Sequence, residues 1–326
     1  MVISELKFLA KYPFLSQAKE YIKNLNVGLE GELLELGKER IKQGLKEGQI
    51  KSPIILSEND LKNYILSYAA SRIILSNWKN VYARQRMAIV ESKRAADYLK
   101  NEEYENIKKI AQEFQIEFFW DQTAFYVDIV SYLKYSPKDI HYKLLYMPVK
   151  KGQVRVLEKE LIRLFEEAIK LKLEKLPQTK LNIKELDKII KELQDFLPKQ
   201  KMGEVKINTS DFPPCIKKLL AQLSSSINVP HNGRVALAIY LIKAGFSDEQ
   251  IQKVFSFAPD YDFETTKYQI EFIRKKNYQM PSCSTMDSYG LCIADCKCFN
   301  PIKFRRKFHQ TNAKNSIIAE DEEYAN

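Results

Sequence analysis

The sequence predicts a mainly α protein of two domains, with a small α/β element set into the first. Three observations carry this expectation. Gly (10) and Pro (12) are scarce among 326 residues, which argues against a sandwich, a collagen-like repeat or a Gly-rich nucleotide-binding domain. Most of the chain repeats its apolar residues at helical spacing, whereas the stretch from about 114 to 156 is aromatic and β-branched. All five cysteines follow residue 214, which sets the last third apart. The expected boundaries are an N-terminal helical domain over 1–196, a linker over 197–211, a second helical domain over 212–314 and an acidic, disordered tail over 315–326.

Ser57-Glu-Asn-Asp60 is a capping signal, and Leu61, Ile65, Tyr68, Ile73 and Leu75 follow it at helical spacing. A second helix is expected from Tyr82 to Tyr104, with Arg84, Arg86, Lys93 and Arg94 read as its solvated face. Phe118–Tyr135 and Tyr142–Val156 have the composition of strands, and Lys151-Gly152 is a turn between two of them. From Glu158 to Lys175 the period is helical again, with Leu161, Leu164, Phe165, Ala168 and Leu171 on one face. Ile183–Phe196 reads as a charged helix. The second domain opens at Asp211, just before Pro213 and Pro214 at a helix start. Val235–Ala244 is a buried helix ended by Gly245, and Ser247-Asp-Glu-Gln250 is another capping box.

The longest apolar run, Val235 to Ile242, is far below the ~20 residues that span a bilayer. The first residues carry Glu5, Lys7 and Lys11 and no small-residue cleavage site, so they do not read as a signal peptide. An intracellular, cytoplasmic protein is expected. The 45% hydrophobic content supports a real core, and the formal charge of +10 suits a polyanionic partner.

Cys215, Cys283, Cys292, Cys296 and Cys298 are separated by 68, 9, 4 and 2 residues. In a reducing compartment such a cluster favours metal ligation, and a disulfide framework is the alternative. Two tight C-x2-C pairs, the zinc-ribbon pattern, are absent. One ligand from a helix start plus three from an irregular loop suits a four-thiolate iron–sulfur cluster, although spacing leaves zinc open, and with it a zinc-stabilised adaptor without a nucleic-acid role. Between Lys267 and His309 nine Lys or Arg face three Asp or Glu, interleaved with Tyr268, Phe272, Tyr278, Tyr289, Phe299, Phe304 and Phe308. Cations neutralise phosphates and aromatic faces stack unpaired bases, so the mixture suits single-stranded nucleic acid or nucleotides. His231-Asn-Gly-Arg234 reads as a turn into the Val235 helix, where an added cation favours phosphate. Phosphate-loop, dinucleotide and zinc-protease motifs are absent. A two-metal polymerase or nuclease needs clustered carboxylates, and only Asp260 and Asp262 alternate, in what reads as an acidic turn or N-cap.

Phe212-Pro-Pro-Cys-Ile216, His231-Asn-Gly-Arg234, Pro281-Ser-Cys-Ser-Thr-Met286, Gly290-Leu-Cys292 and Asn300-Pro301 follow one another in an order that closely resembles the DNA primase large subunit, archaeal type. Upstream, Tyr68-Ala-Ala-Ser-Arg72, the Arg84–Arg94 helix and Val149-Lys-Lys-Gly-Gln-Val154 extend the resemblance over nearly the whole chain. It implies a non-catalytic, regulatory subunit of DNA replication. The N-terminal domain would hold a catalytic small subunit as a heterodimer, with a third subunit left open. The C-terminal domain would carry a [4Fe-4S] cluster and engage single-stranded template, RNA or DNA primer and the initiating NTP, promoting initiation and setting primer length. By position, Cys215, Cys283 and Cys292 match three cluster ligands, with Cys298 preferred and Cys296 the alternative for the fourth. His231 and Arg234 match the family's nucleotide-contacting turn, and Lys243 lies in the helix beyond. Tyr268, Lys275, Lys276, Arg305 and Arg306 are the further nucleic-acid candidates, although Gln269-Ile-Glu271 departs from the more basic eukaryotic version. Cytoplasmic, nucleoid-associated placement follows from the same resemblance.

Overall fold

The structure is a computed structural model and describes residues 2–28, 31–52, 57–177, 184–197 and 209–304. The chain divides into two compact units, Met1–Lys199 and Gln200–Asn326. Most of the expected linker, the expected tail, and Arg305 and Arg306 lie outside the described residues.

The first unit is a helical body carrying a four-stranded sheet. Its helices are α1 (Ile3–Lys11), α2 (Ser16–Leu25), α3 (Gly31–Lys46), α4 (Glu58–Trp78), α5 (Val81–Leu99), α6 (Tyr104–Phe114), α7 (Ile129–Tyr135), α8 (Glu158–Glu174) and α9 (Lys184–Leu193). The strands are β1 (Phe118–Trp120), β2 (Phe125–Asp128), β3 (Val149–Lys150) and β4 (Gln153–Val156), antiparallel in the order β1-β2-β4-β3. The Ser57 hydroxyl accepts the Asp60 N–H and Asp60 reaches back to the Ser57 N–H at 2.7 Å, so the capping box starts α4. Lys151 and Gly152 both take left-handed backbone (φ 48° and 76°), the geometry a two-residue hairpin turn needs. That turn sets Val149 opposite Val154.

The strands are shorter than the composition suggests. Asp128 ends β2 because its carboxylate accepts the Val130 and Ser131 N–H groups at 3.0 and 2.9 Å, capping α7 where more strand was expected. The expected second helix stops at Leu99, and a separate helix begins at Tyr104. In α8, Leu161, Leu164, Phe165 and Ala168 are buried as expected, but Leu171 is 40% exposed, since it falls off the stripe that Ile169 and Leu173 complete.

One core cluster joins the sheet's inner residues Val127, Val154 and Val156 to α5, α6, α7 and α8. Another joins α3, α4, α5 and α9 through Leu34, Ile41, Ile74, Val90, Leu186 and Leu193. An ionic knot sits within this helical body. Arg40 donates from Nε and Nη2 to the Glu91 carboxylate at 2.6 and 3.0 Å, and Arg94 Nε donates to it at 3.1 Å. Ser67, the Tyr64 hydroxyl and the Lys11 carbonyl take further N–H groups of the two guanidiniums. The faces of Tyr64 and Tyr68 lie against Arg40, and those of Tyr64 and Tyr98 against Arg94. Arg94 is therefore buried, contrary to a solvated face, because a carboxylate on its own helix and two aromatic rings replace water. Arg72 donates to the carbonyls of Leu173 and Lys175, closing the C-terminal end of α8.

Among the described residues, the regular elements of the second unit are all helices: α10 (Pro214–Ser224), α11 (His231–Lys243), α12 (Asp248–Phe255), α13 (Phe263–Lys275) and α14 (Cys283–Ser288). Pro214 takes the first position of α10, where its missing N–H costs nothing. Helix α11 is the hub, burying Ala236, Leu237, Ala238, Ile239, Tyr240 and Leu241, and it ends before Gly245 (φ 88°). Residues 231–234 are the first turn of this helix, not a loop leading into it. Gly233 is buried in that turn, and a Cβ there would stand 2.9 Å from Val229 Cγ1 and 3.1 Å from Leu219 Cδ2. Close packing, rather than a tight turn, is what requires glycine. Among the described residues, no helix is long and apolar enough to cross a membrane.

Candidate metal and nucleotide sites

The second unit gathers two sets of the expected residues. The first is sulfur. Cys215 lies in the first turn of α10, and Cys283 begins α14, whose turn is capped by the Ser282 hydroxyl accepting the Thr285 N–H at 3.2 Å. Gly290 (φ 71°) then turns the chain back so that the Met286 carbonyl accepts the N–H groups of Leu291 and Cys292 at 2.9 and 3.3 Å. The following loop is pinned by Asn300, whose Nδ2 donates to the Met280 carbonyl at 3.1 Å, and by the Cys283 N–H donating to the Phe299 carbonyl at 2.9 Å. Within it, Cys298 Sγ lies 3.5 Å from Cys283 Sγ and 3.3 Å from Cys296 Sγ.

All five cysteines are free thiols, so the disulfide alternative is not formed. Burial pushes Cys215 up to about 11, and the nearby Cys292, Cys296 and Cys298 add to the rise. Burial likewise raises Cys283, Cys296 and Cys298. Thiolates so placed would repel one another, and a cationic centre would remove that cost. As they stand, no three His, Cys, Asp or Glu side chains among the described residues are arranged to hold a metal ion. Cys298 Sγ is closer to the Cys283 and Cys296 sulfurs than the ~3.8 Å that follows from four bonds of ~2.3 Å around one tetrahedral zinc, and closer still than thiolates on different irons of a cluster, so either centre would need these side chains to turn apart. Four thiols, those of Cys283, Cys292, Cys296 and Cys298, line one cleft edged by Ile293, Ala294 and Phe299, and thiols are the donors that an iron–sulfur cluster takes. Sequence spacing leaves Cys296 and Cys298 as alternatives, and the structure brings both sulfurs to the same place.

The second set surrounds the start of α11. Pro230 precedes this helix and no side chain caps its first turn, so the positive end of the dipole lies at exposed His231 without a side-chain acceptor. A cleft runs from His231 and Arg234 to Thr265, Thr266 and Gln269 of α13, over a floor that includes Val235, Phe255 and Ile270. Arg234 Nη1 donates to Asp260 Oδ2 at 2.6 Å, while Arg234 Nε and Asp260 Oδ1 are buried without a partner. No local sequence pattern gives Asp260 this role, because the two residues are 26 apart. Asp262 accepts the Thr265 N–H at 2.8 Å and caps α13, so the acidic pair forms a turn and an N-cap.

Tyr268 is 61% exposed on α13, its ring stacked on Phe272 at 6.0 Å and 24°, and Tyr278 meets Phe272 edge-on. Lys275 and Lys276 are exposed at the end of that helix. Lys243 does not join Arg234. Nine residues of α11 separate them by ~14 Å along the axis. Lys243 instead donates to Asn277 Oδ1 at 2.5 Å, beside Lys275 and Lys276. Arg274, from the same basic stretch, is occupied by Asp248 at 2.5 Å and the Phe246 carbonyl at 3.1 Å.

The family model for the C-terminal domain of the eukaryotic and archaeal DNA primase large subunit matches residues 205–323. Over 318 residues the chain is 34% identical to the DNA primase large subunit PriL of Methanococcoides burtonii, covering 88% of this chain and 87% of that protein. It is 29% identical to that of Methanocella arvoryzae over 338 residues (95% and 91%) and 30% identical to that of Methanosarcina acetivorans over 308 (87% and 82%).

Proposed function

The chain belongs to the family of eukaryotic and archaeal DNA primase large subunits, and on that premise we propose how its two units divide the work of primer initiation. The family implies a regulatory role in DNA replication, a catalytic small subunit as partner, and nucleic acid as the common ligand.

The N-terminal unit holds the small subunit. What supports this is the apolar surface its α/β insertion leaves in water: Val130 and Leu133 on α7, then Leu145 and Tyr146 on the segment before β3, with Leu145 83% exposed. Exposed apolar side chains of this size in consecutive segments mark a protein interface.

The C-terminal unit engages template and initiating nucleotide, and the single observation that carries this is the cleft between α11 and α13. An uncapped helix start, His231 and Arg234 present positive charge where a triphosphate can lie. Tyr268 and Phe272, on α13 but outside the cleft's lining, offer stacked aromatic faces for an unpaired base. Lys243, Lys275 and Lys276 form a separate basic group that fits the phosphates of template or primer, with Arg305 and Arg306 beyond the described residues. By holding the first nucleotide and the template together, the unit favours the first bond and influences when the primer is released.

A [4Fe-4S] cluster would be held by Cys215, Cys283, Cys292 and Cys298. Once bound, it would cross-link α10 to the loop after α14 and offset part of the charge of the packed thiolates, so that cluster binding and folding of this unit are linked.

The test is Arg234→Ala in the heterodimer with the small subunit. Formation of the first dinucleotide from free NTPs should fall at least tenfold, with heterodimer formation and iron content unchanged. Normal initiation by this variant would refute the nucleotide role.

A further inference from the structure

The chain brings five thiols to a centre that needs four, and on the cluster reading above this surplus has a consequence. Cys215, Cys283 and Cys292 each come from a different place: the first turn of α10, the first residue of α14 and the turn after it. Cys296 and Cys298 are different. They are two residues apart in one loop, their sulfurs are 3.3 Å apart, and Cys298 Sγ is 3.5 Å from Cys283 Sγ. Lys297 and Phe299 both adopt left-handed backbone (φ 48° and 57°), which folds the loop so tightly that both sulfurs lie on the same side. Asn300 and the Cys283 N–H to Phe299 carbonyl bond anchor the loop just beyond the pair.

We propose that Cys296 and Cys298 are interchangeable fourth ligands, so that the centre holds its cluster through either thiol and keeps it when one of them is lost to oxidation or alkylation. Both thiols lie in the one loop between Cys292 and Asn300, so exchange needs rotation within that loop and no movement of α10 or α14. In the exchange one iron–thiolate bond breaks and one forms. The incoming thiol gives up its proton, the departing thiolate takes one, and no electron moves.

The experiment uses the full chain purified anaerobically. Iron and sulfide are first assayed in the unaltered protein. A chain without iron overturns the cluster reading and the exchange with it, whereas about four irons per chain leaves the exchange to be decided alone. The iron-loaded protein is then treated briefly with iodoacetamide and its peptides are analysed by mass spectrometry. The expected result is one modified thiol per chain, divided between Cys296 and Cys298, with Cys215, Cys283 and Cys292 protected. Modification confined to one of the two positions shows a dedicated ligand and overturns the proposal. In parallel, Cys296→Ala and Cys298→Ala should each retain at least three-quarters of the iron, with altered electron paramagnetic resonance of the reduced centre. The double variant and Cys292→Ala should lose most of it. A single variant as depleted as Cys292→Ala would contradict interchangeability.

Discussion

Glu91→Gln tests the packing logic of the N-terminal unit most severely. Arg40, Glu91 and Arg94 are all buried, and the carboxylate accepts three guanidinium N–H groups at 2.6, 3.0 and 3.1 Å. A carboxamide keeps the shape but loses the charge, and its NH₂ must face a guanidinium donor. Two buried cations then remain with only aromatic faces and neutral acceptors around them. Removing one partner of such a buried ion pair costs ~3–5 kcal/mol, a large share of the ~5–15 kcal/mol that stabilises a domain. With a urea slope of ~2 kcal/mol per molar, the midpoint should fall by ~1.5–2.5 M. Trp78 and Trp120 are the chain's two tryptophans and both lie in this unit, so their fluorescence follows it alone. Burial by itself would raise the Glu91 carboxyl, but Arg40 and Arg94 more than offset this and hold it below its ordinary value of 4.5. Its contribution is therefore fully present above pH 4.5 and is lost as pH falls through the depressed value. The unaltered protein should lose stability with acid below pH 4.5 more steeply than the Gln variant. A midpoint shift under ~0.5 M, about 1 kcal/mol, or identical acid limbs, would refute the argument. Replacing all three residues with Met or Leu should restore most of the loss, since no uncompensated charge remains.

Other perturbations give equally definite expectations. Asp260→Asn removes the carboxylate that occupies Arg234, and nucleoside triphosphate should bind ~5-fold more tightly by calorimetry, from about 1 kcal/mol of relieved competition. Weaker binding would mean that Asp260 orients Arg234 rather than competing with phosphate. Val130→Asp with Leu145→Asp should weaken binding of the small subunit ~100-fold without changing circular dichroism, because both side chains are already in water. Unchanged affinity would move the interface elsewhere. Gly233→Ala should destabilise the C-terminal unit, followed by circular dichroism, because the added methyl meets Val229 at 2.9 Å. Overpacking of ~1–3 kcal/mol outweighs the ~1 kcal/mol of helix propensity gained. A more stable variant would show that the neighbours yield freely.

Local signals were the legible part of the sequence. Two capping boxes, the Pro214 helix start, the Lys151-Gly152 turn and the apolar stripe of α8 each depend on residues within a few positions of one another. The cysteine blocks and residues 231–234 all fall in the unit where the structure gathers the two candidate sites. Features closed over long separations were not legible. Arg94 resembles any other surface arginine until Arg40, Tyr64 and Tyr98 come together around it and Glu91. The 231–234 segment looks like a turn because of Gly233, whose actual reason is Val229 and Leu219 packed against a helix. Lys243 follows Arg234 in one helix, yet nine residues of rise put it with Lys275 and Lys276 instead. The choice between Cys296 and Cys298 stays open in the sequence because spacing cannot distinguish two sulfurs that occupy one place.

The most direct test of the whole account compares three preparations on unprimed and primed single-stranded templates: this chain alone, its small subunit alone, and the two together. The account expects no nucleotide incorporation by this chain alone. It expects de novo dinucleotide synthesis by the pair to exceed that of the small subunit at least tenfold, with extension of a preformed primer changed far less. Metal-dependent synthesis or cleavage by the isolated chain, abolished by Asp260→Ala, would contradict it, because the carboxylate paired with Arg234 would then belong to a catalytic centre.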